Sequence, residues 1–310
     1  MNLRSATGSV ARWLDSWAPN ARDAQRGHDE IDWLRVSPFL ALHAGCLLAP
    51  WVGWSWTAIA IAVAFYAVRM FAITAFYHRY FSHRAFKTSR SLQFAFAFLG
   101  SSAVQRGPLW WASHHRMHHR HSDGESDVHS PIRRGFWWSH VGWLLAQGNF
   151  RTRHELVRDL ARFPELRFLD RFDSLVPLLL IPGFYGLGEL LAAFAPTLGT
   201  NGPQLLVFGV CISTVLLYHM TFSINSIAHR FGSRRFDTSD ESRNNPLLAL
   251  FTLGEGWHNN HHRYPGAARQ GFRWWELDIS WYLLRLMRAL GLVWNLKPVP
   301  AQLLNRKPAP

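Results

Sequence analysis

Two histidine triplets share one spacing: His115-Arg-Met-His118-His119 and His258-Asn-Asn-His261-His262 each place imidazoles at i, i+3 and i+4. On an α-helix those positions lie on one face, so each triplet offers three nitrogen donors together. His78-Arg-Tyr-Phe-Ser-His83 and Asn225-Ser-Ile-Ala-His229 raise the clustered histidines to nine. Buried imidazole is poor core material, because every ring brings a polar nitrogen that needs a partner. Donors at this density point to metal. A structural zinc takes four ligands and a haem one or two, so nine point to a dinuclear site, and neutral imidazole suits iron, zinc or copper. The triplets contain no carboxylate, which would make the site an all-histidine counterpart of the Glu and Glu-x-x-His di-iron bundles. The five-residue step from His78 to His83 does not keep two rings on one α-helical face, and predicts that a helix ends between them. His28, His43, His154 and His219 are read as lying outside the site, and His114, His121, His129 and His140 as its neighbours or as surface groups.

These clusters need elements to hold them. The chain of 310 residues carries 16 Trp and 22 Phe at a mean hydropathy of only -0.07, so apolar blocks must alternate with charged ones. Four blocks, about 36–53, 56–76, 175–195 and 205–224, approach the ~20 apolar residues that cross a bilayer. The expected fold is an all-α membrane protein of four transmembrane helices with a cytosolic helical cap over the histidines. The expected organisation is an N-terminal arm (1–35), a membrane domain (36–297) whose cap comprises 77–172 and 225–297, and a tail (298–310). Ser91 to Gln105 is apolar but only 15 residues long. Were it to cross, His78 and His83 would face the opposite side from His115 to His119. It is therefore expected to lie in the interface or re-enter, with Phe136–Leu145 and Trp274–Leu290 as amphipathic helices on the headgroups.

Charge follows the same division. Of the 33 Lys and Arg, only Arg69 lies within 36–76 or 173–224, and the two short connections carry none. The positive-inside rule places both termini and the histidines in the cytoplasm. The net charge of +13 is explained by anionic lipid headgroups, and no nucleic-acid partner is expected. Cys46 and Cys211 both sit in apolar blocks, which argues against a disulfide or thiolate site. No signal peptide is expected in the Arg-containing first 30 residues. Thirty Arg against three Lys is the balance of a GC-rich bacterial genome, hence an expected bacterial inner membrane.

The motifs HRYFSH (78–83), HHRMHH (114–119) with Asp127-Val-His129, GFWWSHVGWLL (135–145), NSIAH (225–229) and GEGWHNNHH (254–262) together resemble the membrane fatty acyl desaturases of the stearoyl-CoA type. The resemblance implies a four-helix stem and a cap holding two non-haem irons. Carried over by position, one iron takes His78, His83, His119 and His262, with a water held by Asn225, and the other takes His115, His118, His229, His258 and His261. It further implies a bent acyl channel with Gln105, Trp111 and Thr221 at the kink, a tunnel end near Tyr66 and Met70, and Arg116 as a substrate contact. The implied reaction is O2-dependent insertion of a cis double bond. No side-chain base can take a proton from an unactivated methylene, so redox metal is required. The chain shows neither a cytochrome b5 haem motif nor a nucleotide fingerprint. A separate ferredoxin or cytochrome b5-like donor, with its reductase, is therefore expected on the basic face. The basic pair that follows the GWLL segment in animal acyl-CoA enzymes is replaced by Ala146-Gln147, which leaves acyl-CoA and acyl-lipid substrates both open. The rivals are a di-iron lipid hydroxylase or carotenoid hydroxylase/ketolase, and, outside enzymes, a haem-binding membrane electron carrier, for which only His43 and His219 lie deep enough.

Overall fold

The computed structural model describes residues 10–18 and 29–304, so His28 lies outside the described residues. Within them the chain is almost wholly helical, and its one sheet is a two-stranded antiparallel pair, Lys87–Thr88 (β1) with Val293–Trp294 (β2).

The first apolar block is not one continuous helix. Asp32 caps helix α1, Trp33–Cys46, by accepting from the Arg35 amide. Its 14 residues reach roughly 21 Å at the usual rise, short of the ~30 Å hydrocarbon core. It gives way at Leu47 and Leu48 to a separate turn, Ala49–Val52, where Pro50 has no N–H to continue the ladder. Among the described residues three helices are long and apolar enough to cross a membrane: Trp56–Ser82, Leu175–Phe194 and Gly202–Ser226.

Helix α2, Trp56–Ser82, starts on Ser55, which accepts from the Ala58 amide. It is α-helical to Phe71 and π-helical from Ala72 to Ser82. The wider register closes with the His83 amide donating to the His78 carbonyl at 3.2 Å and the Ser82 hydroxyl donating to the Tyr77 carbonyl at 2.8 Å. Arg69 within α2 is fully buried. Its guanidinium donates to Thr214, Ser213 and the Ser102 carbonyl at 2.6–3.1 Å and lies 4.0 Å from the Phe65 ring centre, so the one basic residue within 36–76 and 173–224 is satisfied without a carboxylate.

Helix α3, Arg90–Ser101, is capped by Ser89 and has 12 residues. It buries Gln93, Ala97 and Gly100 while Phe94 and Phe98 face outward. Helix α4, Pro108–His121, begins with proline, whose missing N–H costs nothing in a first turn. Helix α5, Leu175–Phe194, leaves Leu178, Leu179, Ile181 and Leu190 exposed along its length, as a lipid-facing helix must. Helix α6, Gly202–Ser226, is capped by Asn201 and contains a π segment at Leu206–Ile212. Helix α7, His258–Arg263, is short. Helix α8, Ile279–Ala289, starts later than the apolar pattern suggests because Asp278 caps it at the Trp281 amide. Over 136–145 the chain forms a π turn, Trp138–Gly142, followed by Trp143–Leu145.

Candidate metal centre and acyl cavity

The histidines come from four elements and converge. His78 and His83 leave the end of α2, the first triplet projects from α4, His229 follows α6, and α7 carries the second triplet. The π register changes the meaning of the His78 to His83 step. At roughly 4.4 residues per turn, five residues come back to nearly the same face, and the two ring centres lie 4.9 Å apart. The helix ends at Ser82, just before His83, which caps it, as the spacing predicts, but its π register already brings the two rings together.

All nine fall into two groups whose donor nitrogens lie within 4.8 Å of one another: His78, His83, His115, His119 and His261 in one, and His118, His229, His258 and His262 in the other. This grouping differs from the partition carried over by position. His115 and His261 join the first group and His262 the second, because alternate members of each triplet point to opposite sides of their helix seam. Nε2 atoms meet at 2.7 Å for His83 and His115, 2.9 Å for His261 and His119, 3.0 Å for His78 and His261, and 3.0 Å for His229 and His258. Adjacent ligands about ~2.1 Å from one ion stand roughly 3 Å apart, so the donor set fits metal. The Nε2 of His262 is buried without any partner, another sign that a lone pair is kept for an ion.

Carboxylates surround the imidazoles from behind. The Nδ1 of His118 faces Asp127 at 3.0 Å, that of His229 faces Asp123 at 2.9 Å, and that of His262 faces Asp240 at 2.6 Å. Glu255 pairs with the Nδ1 of His78. An acceptor at Nδ1 fixes the tautomer and turns Nε2 toward the ion. Burial, reinforced by neighbouring imidazoles, drives His83, His115, His119, His258 and His261 well below the ordinary histidine range, which favours neutral rings with one free lone pair each. His262 is pushed down to about 4 by burial, against the pull of Asp240. His118 goes the other way: burial opposes its charge, but Asp127, Asp123 and Asp240 outweigh burial and raise it. These acids were missed in the sequence. Asp123 and Asp127 lie four and eight residues past His119, and Glu255 three before His258, a proximity that could have signalled them. Asp240, 22 residues from its partner, gave no local signal.

A narrow cavity opens beneath the histidines, leaving about 90 Å³ for the centres of water-sized spheres. His78 and His115 of the first group and His118 and His258 of the second reach its wall, as does Asn225. Gln105 donates to the Thr221 hydroxyl at 2.7 Å, and Trp111 stacks on His115 with centres 5.1 Å apart; all three line the cavity. Met70 lines it too and is fully buried. Tyr66 is not on the wall. Its hydroxyl donates to the Phe251 carbonyl at 2.7 Å, so it packs helices together. Arg116 is not on the wall either, since its guanidinium makes five hydrogen bonds, to Ser82, Phe81, Leu156 and both oxygens of Asp159. His114 and His129 are buried cavity neighbours. His43, His219 and His140 form a separate hydrogen-bonded row.

An apolar cavity roofed by two imidazole groups has the form of a site that could hold a hydrocarbon chain beside metal, and the comparisons with known proteins point the same way. The fatty acid desaturase family model matches residues 54–298. The chain belongs to the fatty acid desaturase family. It is 39% identical over 270 residues to an acyl-CoA 5-desaturase of Anemone leveillei, covering 86% of this chain and 79% of that protein. It is 37% identical over 272 residues to an sn-1 stearoyl-lipid 9-desaturase of Anabaena variabilis, covering 86% and 94%. It is 38% identical over 288 residues to the Delta-9 acyl-lipid desaturase 1 of Arabidopsis thaliana, covering 92% and 89%. This desaturase is thus an oxidoreductase acting on fatty acyl chains, and its relatives divide between two acyl carriers.

Proposed function

We propose that this desaturase uses O2 to insert a cis double bond into a saturated acyl chain of a membrane glycerolipid, with two non-haem irons in the two histidine groups and electrons from a separate ferredoxin or cytochrome b5-like donor and its reductase. The observation that carries this reading is the meeting of both imidazole groups at the roof of one apolar cavity. When bound, the irons supply the oxidising power that removes hydrogen from unactivated methylenes. The protein supplies position. The carboxylates of Asp123, Asp127, Asp240 and Glu255 hold Nδ1 protons and aim the rings. Asn225 stands beside His118 and His258 on the cavity wall, where its amide can hold a water. The Gln105–Thr221 bridge and Trp111 bend the passage, and Met70 limits its depth, which keeps the chain from sliding past the reacting carbons. Apolar walls exclude bulk water from the site.

A glycerolipid carrier is supported by the basic groups near the cavity. Arg116 is fully engaged inside the protein, Arg106 is paired with Asp173 at 3.1 Å, and Gln147 stands where a cation would serve a CoA phosphate. In the membrane, α1 with its following turn would complete a fourth crossing, which leaves the termini and the histidines on the cytoplasmic side of a bacterial inner membrane. Two measurements test the proposal. Purified protein is expected to hold about two irons per chain without a haem absorption band, and a haem spectrum would exclude it. Labelled acyl-CoA, supplied while transfer to lipid is blocked, is expected to stay saturated; desaturation under the block would assign CoA as the carrier.

A further inference from the structure

A second large cavity shares no lining residue with the first. It lies between the turn that leaves α2, the start of α3, residues 159–163 and the chain after β2. Five cations line it: Arg84, Lys87, Arg90, Arg162 and Lys297. Two of them are matched, Arg84 by Asp159 and Arg90 by Glu165, and Asp159 is shared with Arg116. Lys87, Arg162 and Lys297 have no carboxylate partner among the described residues, so the cavity carries a positive excess.

Its floor holds an unmet donor. Gln93 is 2% exposed and lines the cavity. Its Oε1 accepts from the Tyr80 hydroxyl at 3.0 Å, whereas its Nε2 is buried without an acceptor. A buried amide donor left unpaired costs free energy, and an oxygen brought into the cavity would remove that cost. Two wall residues, Arg84 and Asn295, hold the left-handed backbone at φ 51° and 52°, a conformation that surroundings must enforce. The flanks are apolar and outward-facing: Phe94 and Phe98 on α3, and Leu283, Leu286 and Leu290 at α8. Amphipathic helices of this kind rest at the level of the headgroups.

We propose that this cavity binds the phosphate headgroup of an anionic glycerolipid, with Lys87, Arg162 and Lys297 neutralising the phosphate and Gln93 donating to one of its oxygens. The apolar flanks on α3 and α8 would lie along the lipid's acyl chains. The site is a concave pocket with room for a polar headgroup, which suits a lipid phosphate better than the broad surface of a protein partner. The inference rests on the membrane location of this family and not on the metals. Native mass spectrometry of the full-length protein in a non-ionic detergent tests it, with phosphatidylglycerol, phosphatidylcholine and inorganic phosphate as probes. Phosphatidylglycerol is expected to be held at least tenfold more tightly than phosphatidylcholine. The triple change Lys87→Gln, Arg162→Gln and Lys297→Gln, all at exposed positions, should remove at least tenfold of that affinity, and Gln93→Leu several-fold. Equal binding of the two lipids, or unchanged affinity in both variants, would overturn the proposal. So would full displacement of phosphatidylglycerol by an equimolar amount of inorganic phosphate, which would make this a free-anion site.

Discussion

His119 and His258 sit one in each imidazole group, so each tests one half of the centre. Replacing either by Ala is expected to abolish desaturation and to lower the iron content, whereas His43→Ala, with His43 in its separate row, should preserve both. Fatty-acid analysis alongside metal quantification checks this. The supporting acids are a second test. Asn at 127 keeps the shape of the aspartate but can no longer accept from the His118 ring with a full charge. Loss of such a partner costs about 10–100-fold in metal affinity, and chelator competition on Asp127→Asn should show it with secondary structure unchanged. The identity of the imidazoles was legible in the sequence because ligands cluster in short helical repeats. Their partition was not. It depends on how α4 and α7 turn against each other, and pairing across such a seam leaves no trace in either triplet's spacing.

At the scale of elements, α2 joins two registers, an α-helical part from Trp56 to Phe71 and a π-helical part that carries His78 toward the other imidazoles. Met70 lies just before the change of register and lines the cavity. Met70→Ala is expected to shift preference toward substrates longer by roughly two carbons, since each extra buried methylene gains at most about 0.8 kcal/mol. An unchanged chain-length profile in an iron-loaded variant would place the tunnel end elsewhere. Tyr66→Phe, which removes only the bond to Phe251, should leave the profile alone. The π segment itself was hidden in the sequence: hydropathy reports that a stretch is buried, and the register follows from backbone bonds such as His83 to His78. Deleting one residue from the middle of 72–77, with the π register kept around it, should rotate His78 by about 80° relative to Met70. The expected result is a protein that still inserts, judged by its circular dichroism in detergent, with iron binding lost.

For the molecule as a whole, the decisive tie is Arg79. It is 1% exposed and bonds to Glu255 at 3.1 Å, to Asp278 at 2.9 Å and to the Ala268 carbonyl at 2.8 Å. Glu255 in turn holds His78, and Asp278 caps α8, so a single guanidinium joins the first histidine pair to the C-terminal segment. Breaking a buried pair by removing one partner costs about 3–5 kcal/mol, and Arg79→Met should lower the thermal midpoint in detergent well beyond any surface change. The three long apolar helices and the one-sided histidines could be read from hydropathy and charge. This tie could not, since its members stand 176 and 199 positions apart in segments that differ in character. That separation sets a timetable for the ribosome. At about 5–20 residues per second, the partner acids of Arg79 emerge roughly 10–40 seconds after it does. Through that interval the segment bearing Arg79 is already made while the arginine waits for its acids and His78 for the imidazoles of α7, so the nine histidines can converge only after α7 has been synthesised.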